Sequence, residues 1–224
     1  MRLNKFIAHA TGMARREADE AILNGRISVN GKVANIGKDV DGQSDIIKLD
    51  DKQITLPATT TVIMLNKPIG YVCSRNAQAK DAKTVYELLP SDLRQLKTIG
   101  RLDKDSSGLI LLTDDGDMAH KLTHPSFTKT KEYVIELDRP LAPLHQQMIA
   151  DFGINLTDGP SKLLLERLND ERTKFRVIMH EGRNRQIRRT FAALGYQVVS
   201  LHRISFGSYQ LGDLPSGKYK RVDH

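Results

Sequence analysis

Between Gly100 and Asp117 the chain reads GRLDKDSSGLILLTDDGD, five aspartates around one apolar run. A carboxylate can ligate a cation, cap a helix, pair with arginine or act on a substrate, and this spacing admits more than one of these. Asp103, Asp105, Ser107, Gly108 and Asp114 fall on ligand and turn positions of an EF-hand-like calcium loop. Against calcium, the last ligand position is Asp instead of the longer Glu, and Leu109 to Leu112 reads as a core strand where the loop should continue. Asp105, Ser106 and Ser107 suit a polar turn. Asp114 and Asp115 suit a turn that caps the following helix. Asp103 differs: it follows the strand-like TIG, two places after Arg101, where a carboxylate can be held at the mouth of a cleft.

Cations supply the other candidates. HEGRNRQIRR brings Arg183, Arg185, Arg188 and Arg189 together. With a helix beginning near Asn184, Arg185, Arg188 and Arg189 share one face, and Ile187, Phe191 and Leu194 pack inward. Such a face grips phosphates or lies solvated, and one of its arginines could pair with a carboxylate such as Asp103. Arg2, Lys5, Arg15 and Arg16 cluster at the chain start, beside the acidic Glu17, Asp19 and Glu20. KTKEY carries Lys129, Lys131 and Tyr133, the tyrosine fitting a core or rim position or a stacking platform for a base.

The elements that must position these residues fall into two units. Residues 1–56 read as a small helix–helix–strand module. RLNKFIAHA forms a helix with Leu3, Phe6 and Ile7 inward, ARREADEAILNG a second with Ala18, Ala21, Ile22 and Leu23 apolar, and Val-Asn-Gly-Lys-Val a hairpin. PATTT (57–61) is a linker. Residues 62–224 hold strands at TVIMLNKP, GLILLT, KEYVIELDRP and YQVVSLHRISFG, and an antiparallel pair at SKLLLERLND and KFRVIMHEG. Helices are expected at TVYELLP, DGDMAHKLTHP, PLHQQMIADFG and NRQIRRTFAALG. Strands that are not separated by regular long helices predict an α+β fold with a mixed, mainly antiparallel sheet.

Bulk properties narrow the partners. The formal charge of +7 and a pI near 9.5 favour a polyanion, nucleic acid above all. One cysteine, Cys73, excludes an intrachain disulfide and fits a reduced, cytoplasmic compartment. No apolar run approaches the roughly 18 residues of a spanning helix, so no membrane partner is expected.

These segments resemble, in order, the signature stretches of the RsuA-like RNA pseudouridine synthases. GRLDKDSSGLILLTDDGD, LNKPIGYVCS, KTKEYVIEL and EGRNRQIRRTFAALGYQVVSLHRISFG match the catalytic domain, and RLNKFIAHATGMARREADEAILNGRISVNGKV is similar to the S4 RNA-binding domain in front of it. The resemblance implies isomerisation of a uridine to pseudouridine in structured RNA, with no cofactor and no metal, by a monomer. It places the catalytic aspartate on Asp103, supported by Arg101. It puts the base-stacking tyrosine on Tyr133, the cation pairing with the carboxylate on Arg188 and the apolar pocket floor on Leu201. Lys67 and Pro68 are expected to shape the site or touch RNA. With Lys67, the expected RNA contacts are Arg2, Lys5, Arg15, Arg16, Arg183, Arg185 and Arg189. EGRNRQIRR suggests the large-subunit branch and a 23S ribosomal RNA stem-loop, the alternatives being 16S or transfer RNA, or a non-catalytic ribosome-assembly factor. One departure stands out: Ala14 occupies the place of a serine that would cap the second S4 helix, with Thr11 as a substitute cap.

Overall fold

The computed structural model describes residues 1–75, 82–124, 127 and 129–222. In the N-terminal unit, helix α1 (Leu3–Thr11) turns Leu3, Phe6 and Ile7 inward at helical spacing. Helix α2 (Arg15–Leu23) meets it with Ala18, Ala21 and Ile22. Leu23, expected inward, lies one step off this stripe and is 71% exposed. Four short strands, β1 (Ile27–Val29), β2 (Lys32–Val33), β3 (Ile47–Leu49) and β4 (Lys52–Gln53), close the core in the order β2-β1-β3-β4. The β1–β2 turn places Asn30 and Gly31 at φ 52° and 78°, the left-handed pair whose twist matches a two-residue hairpin.

Helix α2 starts with half a capping box. Glu17 accepts from the Ala14 N–H at 2.7 Å, but Ala14 has no oxygen to return to the first turn. Thr11 does not substitute: its hydroxyl donates to Ile7 O and accepts from Met13 N–H, short of the helix. Restoring the oxygen with Ala14→Ser is expected to stabilise α2 by about 1 kcal/mol. Hydrogen exchange of the α2 amides should slow roughly fivefold.

Among the described residues nine strands form the second sheet. They are β5 (Val62–Lys67), β6 (Lys97–Ile99), β7 (Ser107–Thr113), β8 (Lys131–Leu137), β11 (Leu164–Arg167), β12 (Lys174–Met179), β13 (Val198–Phe206), β14 (Tyr209–Gln210) and β15 (Tyr219–Arg221). The β9 (Ile154–Leu156) and β10 (Gly159–Ser161) hairpin stands apart. The order is β11-β12-β8-β13-β7-β5-β15, with β6 beside β7 and β14 beside β13. Every pairing is antiparallel except β13 with β7. The fold is thus an S4-like helical unit followed by a mixed, largely antiparallel sheet, as expected.

Both faces of the central strands are covered, which explains the unbroken apolar run of β7. Ile110 and Leu112 join Ile63, Ile135, Leu137 and Phe191 on one side. Leu109 and Leu111 join Met64 and Phe206 on the other, under α3 (Gly116–Thr123). The α3 segment was expected to run to Pro125, which lies outside the described residues. PLHQQMIADFG forms α4 (Pro143–Gln147) and continues as a π turn over Met148–Phe152; NRQIRRTFAALG forms α5 (Gln186–Ala192). TVYELLP makes one 3-10 turn at Val85–Leu88. No helix among the described residues is long and apolar enough to cross a membrane.

Candidate active site

The five aspartates of the opening stretch separate cleanly in space. Asp114 accepts from the Thr61 N–H at 2.9 Å, and Asp115 caps α3 by accepting from Asp117 and Met118 N–H. Asp117 pairs with Lys5 of the S4-like unit at 2.6 Å. A calcium loop is ruled out by the strand itself, since Ser107–Thr113 is laddered to β5 and β13. That leaves Asp103 and Asp105 on the loop between β6 and β7.

This loop is tied down at almost every residue. The Lys67 ammonium, fully enclosed, donates to Pro68 O (3.1 Å), Asp103 O (2.9 Å) and Ser106 O (2.6 Å). Gly70 N–H donates to Lys104 O at 2.8 Å, and the Cys73 thiol exchanges contacts with the Leu102 N–H and carbonyl at 3.4 Å. Burial lowers the Lys67 pKa and raises that of the Cys73 thiol. Lys67 was expected to shape the site or touch RNA; with no exposed surface and three carbonyls around its ammonium, it holds the 103–106 loop. Lys67→Met leaves those carbonyls without their donor. It is expected to cost about 3 kcal/mol, lowering the melting temperature by roughly 6–12 °C in a thermal scan.

The carboxylates meet the arginine loop. Arg185 grips Asp105 with two bonds, at 2.9 and 2.8 Å, and reaches Asp103 at 3.5 Å. Arg188, expected to pair with Asp103, lies along Asp105 (3.4 Å to its Oδ2, 2.8 Å to its carbonyl) and donates to Val198 O. The α5 register decides this correction: Arg185 is the N-cap residue, at φ 47° and ψ 32°, and its left-handed backbone throws the side chain over the loop. Hydrogen bonds from Arg185 hold the Asp105 carboxyl below the ordinary 3.8, so that pair is complete above the usual carboxylate range and is lost as the pH falls through the lowered value. Sequence reasoning had treated Asp105 as a local turn residue; nothing near it in the chain signals a partner 80 positions away.

Arg183 and Arg189 do not face open solvent with free donors. Arg183 bonds Asp158, Gly159 O, Pro160 O and Glu181, and Arg189 forks onto both oxygens of Asp158. In the S4-like unit Arg2 pairs with Asp39, Arg15 bonds Asn4, and Arg16 is exposed.

A cleft of about 1080 Å³ opens over these residues. Asp103 is the one aspartate of the stretch that lines it, with its side chain 38% exposed. Tyr133 (7% exposed) on β8 and Leu201 (6%) on the neighbouring strand β13 form a wall, with Arg101, Arg185 and Arg188 at the rim. A charged carboxylate beside a flat ring and an apolar floor can hold an unstacked nucleotide by its base and act on its sugar.

An S4-like module before a sheet domain with a carboxylate in such a cleft defines an RNA-modifying enzyme. Family models agree: residues 61–193 match the RNA pseudouridylate synthase family and residues 1–47 the S4 domain. The chain belongs to the RNA pseudouridylate synthase family and is an isomerase. It is 38% identical over 227 residues to the ribosomal small subunit pseudouridine synthase A of Pasteurella multocida, covering 99% of this chain and 96% of that one. To the ribosomal large subunit pseudouridine synthase B of Bacillus subtilis it is 37% identical, covering 99% and 91%. A crystal structure of a pseudouridylate synthase superposes with a TM-score of 0.70 at 35% identity, over 100% of this chain and 96% of the other. The expected kinship with the large-subunit branch is therefore overturned, since similarity divides between the branches with small-subunit enzymes prominent. In the segment that suggested it, EGRNRQIRR, Arg183 and Arg189 pair with the protein carboxylates Asp158 and Glu181.

Proposed function

We propose that the chain isomerises one uridine of small-subunit ribosomal RNA to pseudouridine, with Asp103 as the catalytic carboxylate. The observation that carries this reading is that Asp103, alone among the five aspartates of its stretch, lines the cleft, on a loop fixed by Lys67 and together with Tyr133 and Leu201. The reaction breaks N1–C1′, turns the uracil and joins C5 to C1′. An ionised carboxylate beside C1′ serves it by attacking the sugar or by removing a sugar proton. Arg185 lies 3.5 Å from Asp103 while its short bonds go to Asp105, so the Asp103 oxygens stay open to the sugar. Tyr133 offers a ring to the base, Leu201 closes the floor, and Arg101 and Arg188 border the opening. The exposed Arg16, with Arg2, Lys5 and Arg15, gives the S4-like unit a cationic edge for the RNA backbone.

The small subunit is preferred because the Pasteurella multocida and Haemophilus influenzae relatives that match at 38% and 37% identity are both small-subunit enzymes. Carbodiimide mapping of pseudouridine in ribosomal and transfer RNA, with and without the gene, tests it. One small-subunit uridine should lose its modification and regain it with the native chain. Loss at a large-subunit or transfer-RNA site would overturn the choice of RNA. No loss anywhere would favour a non-catalytic assembly role.

A further inference from the structure

The arginine that reaches Asp103 sits in a backbone conformation that side chains rarely adopt, and something must hold it there. We propose that Asp158, at the tip of the β9–β10 hairpin, is a positioning residue that sets Arg185 over the catalytic loop by holding the arginines on either side of it. This rests on the reading of Asp103 and Arg185 given above. Asp158 Oδ1 accepts from Arg183 at 3.0 Å and from Arg189 at 2.9 Å, Oδ2 accepts from Arg189 at 2.8 Å, and the Asp158 carbonyl accepts from Arg183 at 2.9 Å. Arg189 also donates to Asn184 O at 2.8 Å, the residue just before Arg185. One carboxylate thus gathers residues 183, 184 and 189 around the left-handed position at 185.

The hairpin makes a second, uncharged attachment to the same helix. Ser161 Oγ accepts from Gln186 Nε2 at 3.1 Å and from Thr190 Oγ1 at 2.8 Å, and all three side chains are buried. This buried attachment keeps α5 docked without Asp158, so removing the carboxylate should loosen the turn and spare the fold. The shifts agree: the two guanidinium groups hold Asp158 low, and Asp158 holds Arg189 high.

Asp158→Asn in the full chain should therefore separate quantities that a merely structural residue moves together. The turnover number on an RNA transcript carrying the target uridine should fall tenfold or more. RNA affinity should rise, with a steeper salt dependence, because Arg189 loses its internal anion and Arg183 keeps only Glu181. The melting temperature should stay within a few degrees. Asp158→Glu, which keeps the charge, should recover part of the turnover. On an Arg185→Ala background Asp158→Asn should have little further effect on turnover, as expected for two residues acting on one step. Turnover within twofold of the native chain, additive losses in the double variant, or turnover and affinity falling together with the melting temperature would each overturn the proposal. Should Asp158→Asn fail to fold, Asp158→Glu decides: native turnover at a native melting temperature, with RNA affinity also unchanged, sinks the idea, and reduced turnover at that temperature supports it. Asp103→Asn run in parallel separates the two readings. If that variant stays active the reading of the site falls, whereas if it is inactive and Asp158→Asn is normal only the positioning role falls.

Discussion

Asp103→Asn is expected to lower pseudouridine formation by about a thousandfold or more, the largest catalytic effect of any single substitution in the cleft. The amide keeps the size of the side chain but can neither attack C1′ nor take a proton from the sugar. The rest of the loop has no reason to move. Its anchors are backbone groups held by Lys67, Gly70 and Cys73, and among the described residues the Asp103 side chain makes only the 3.5 Å contact to Arg185. Fold and RNA affinity should therefore survive, the melting temperature shifting by no more than about 2 °C. Single-turnover assays on the mapped RNA, with filter binding at the same salt, measure both. Native-like turnover by the Asn variant would remove Asp103 from the chemistry. A matching loss of RNA binding would make it a recognition residue.

The contrast between Asp103 and Asp105 shows where the sequence is informative. Everything set by local periodicity or turn chemistry could be read along the chain. Leu3, Phe6 and Ile7 lie on one helical face, Asn30–Gly31 makes a hairpin turn, and the apolar run of β7 is a strand buried on both sides. The grouping of HEGRNRQIRR as a cationic cluster near the site was legible too. Its pairings were not. Whether Arg185 or Arg188 faces Asp103 depends on a left-handed N-cap, and a non-glycine residue gives no warning of that conformation. Asp158, the counter-charge to Arg183 and Arg189, lies 25 and 31 positions away on a hairpin with no visible link to the site. Lys67 misled in another way. A lysine at the end of a strand is usually solvated, and only the closure of the 103–106 loop over its ammonium buries it. Long-range ion pairs are fixed by topology, so a single sequence can nominate their members without assigning partners.

Gly108 is where topology and chemistry meet, and its substitution should have the largest effect on stability. Strand β7 runs parallel to β13 with Gly108 opposite Arg203, directly after the loop that carries Asp103. The residue sits at φ +102°, and a Cβ placed on it would lie 2.6 Å from the Arg203 nitrogen and 2.9 Å from its carbonyl carbon, closer still to its oxygen. These are backbone atoms in the middle of a sheet and cannot swing aside as a flexible side chain would. Arg203 is further pinned by its Nε bond to Leu109 O at 2.7 Å, and Ser107 by its hydroxyl contact to His202 at 2.9 Å. Gly108→Ala must therefore open the one parallel seam of the sheet or twist β7 out of its ladder with β5. Either costs upward of about 4 kcal/mol, a drop of roughly 8–16 °C in melting temperature. Because the seam joins the wall residue Leu201 to the loop of Asp103, activity should fall even below that temperature. A thermal scan and a single-turnover assay at 15 °C below the variant's midpoint check the two effects. A melting temperature within 2 °C of native would show that the strands are not in contact at this position. Full activity in a destabilised variant would show that the seam supports the fold without positioning Asp103.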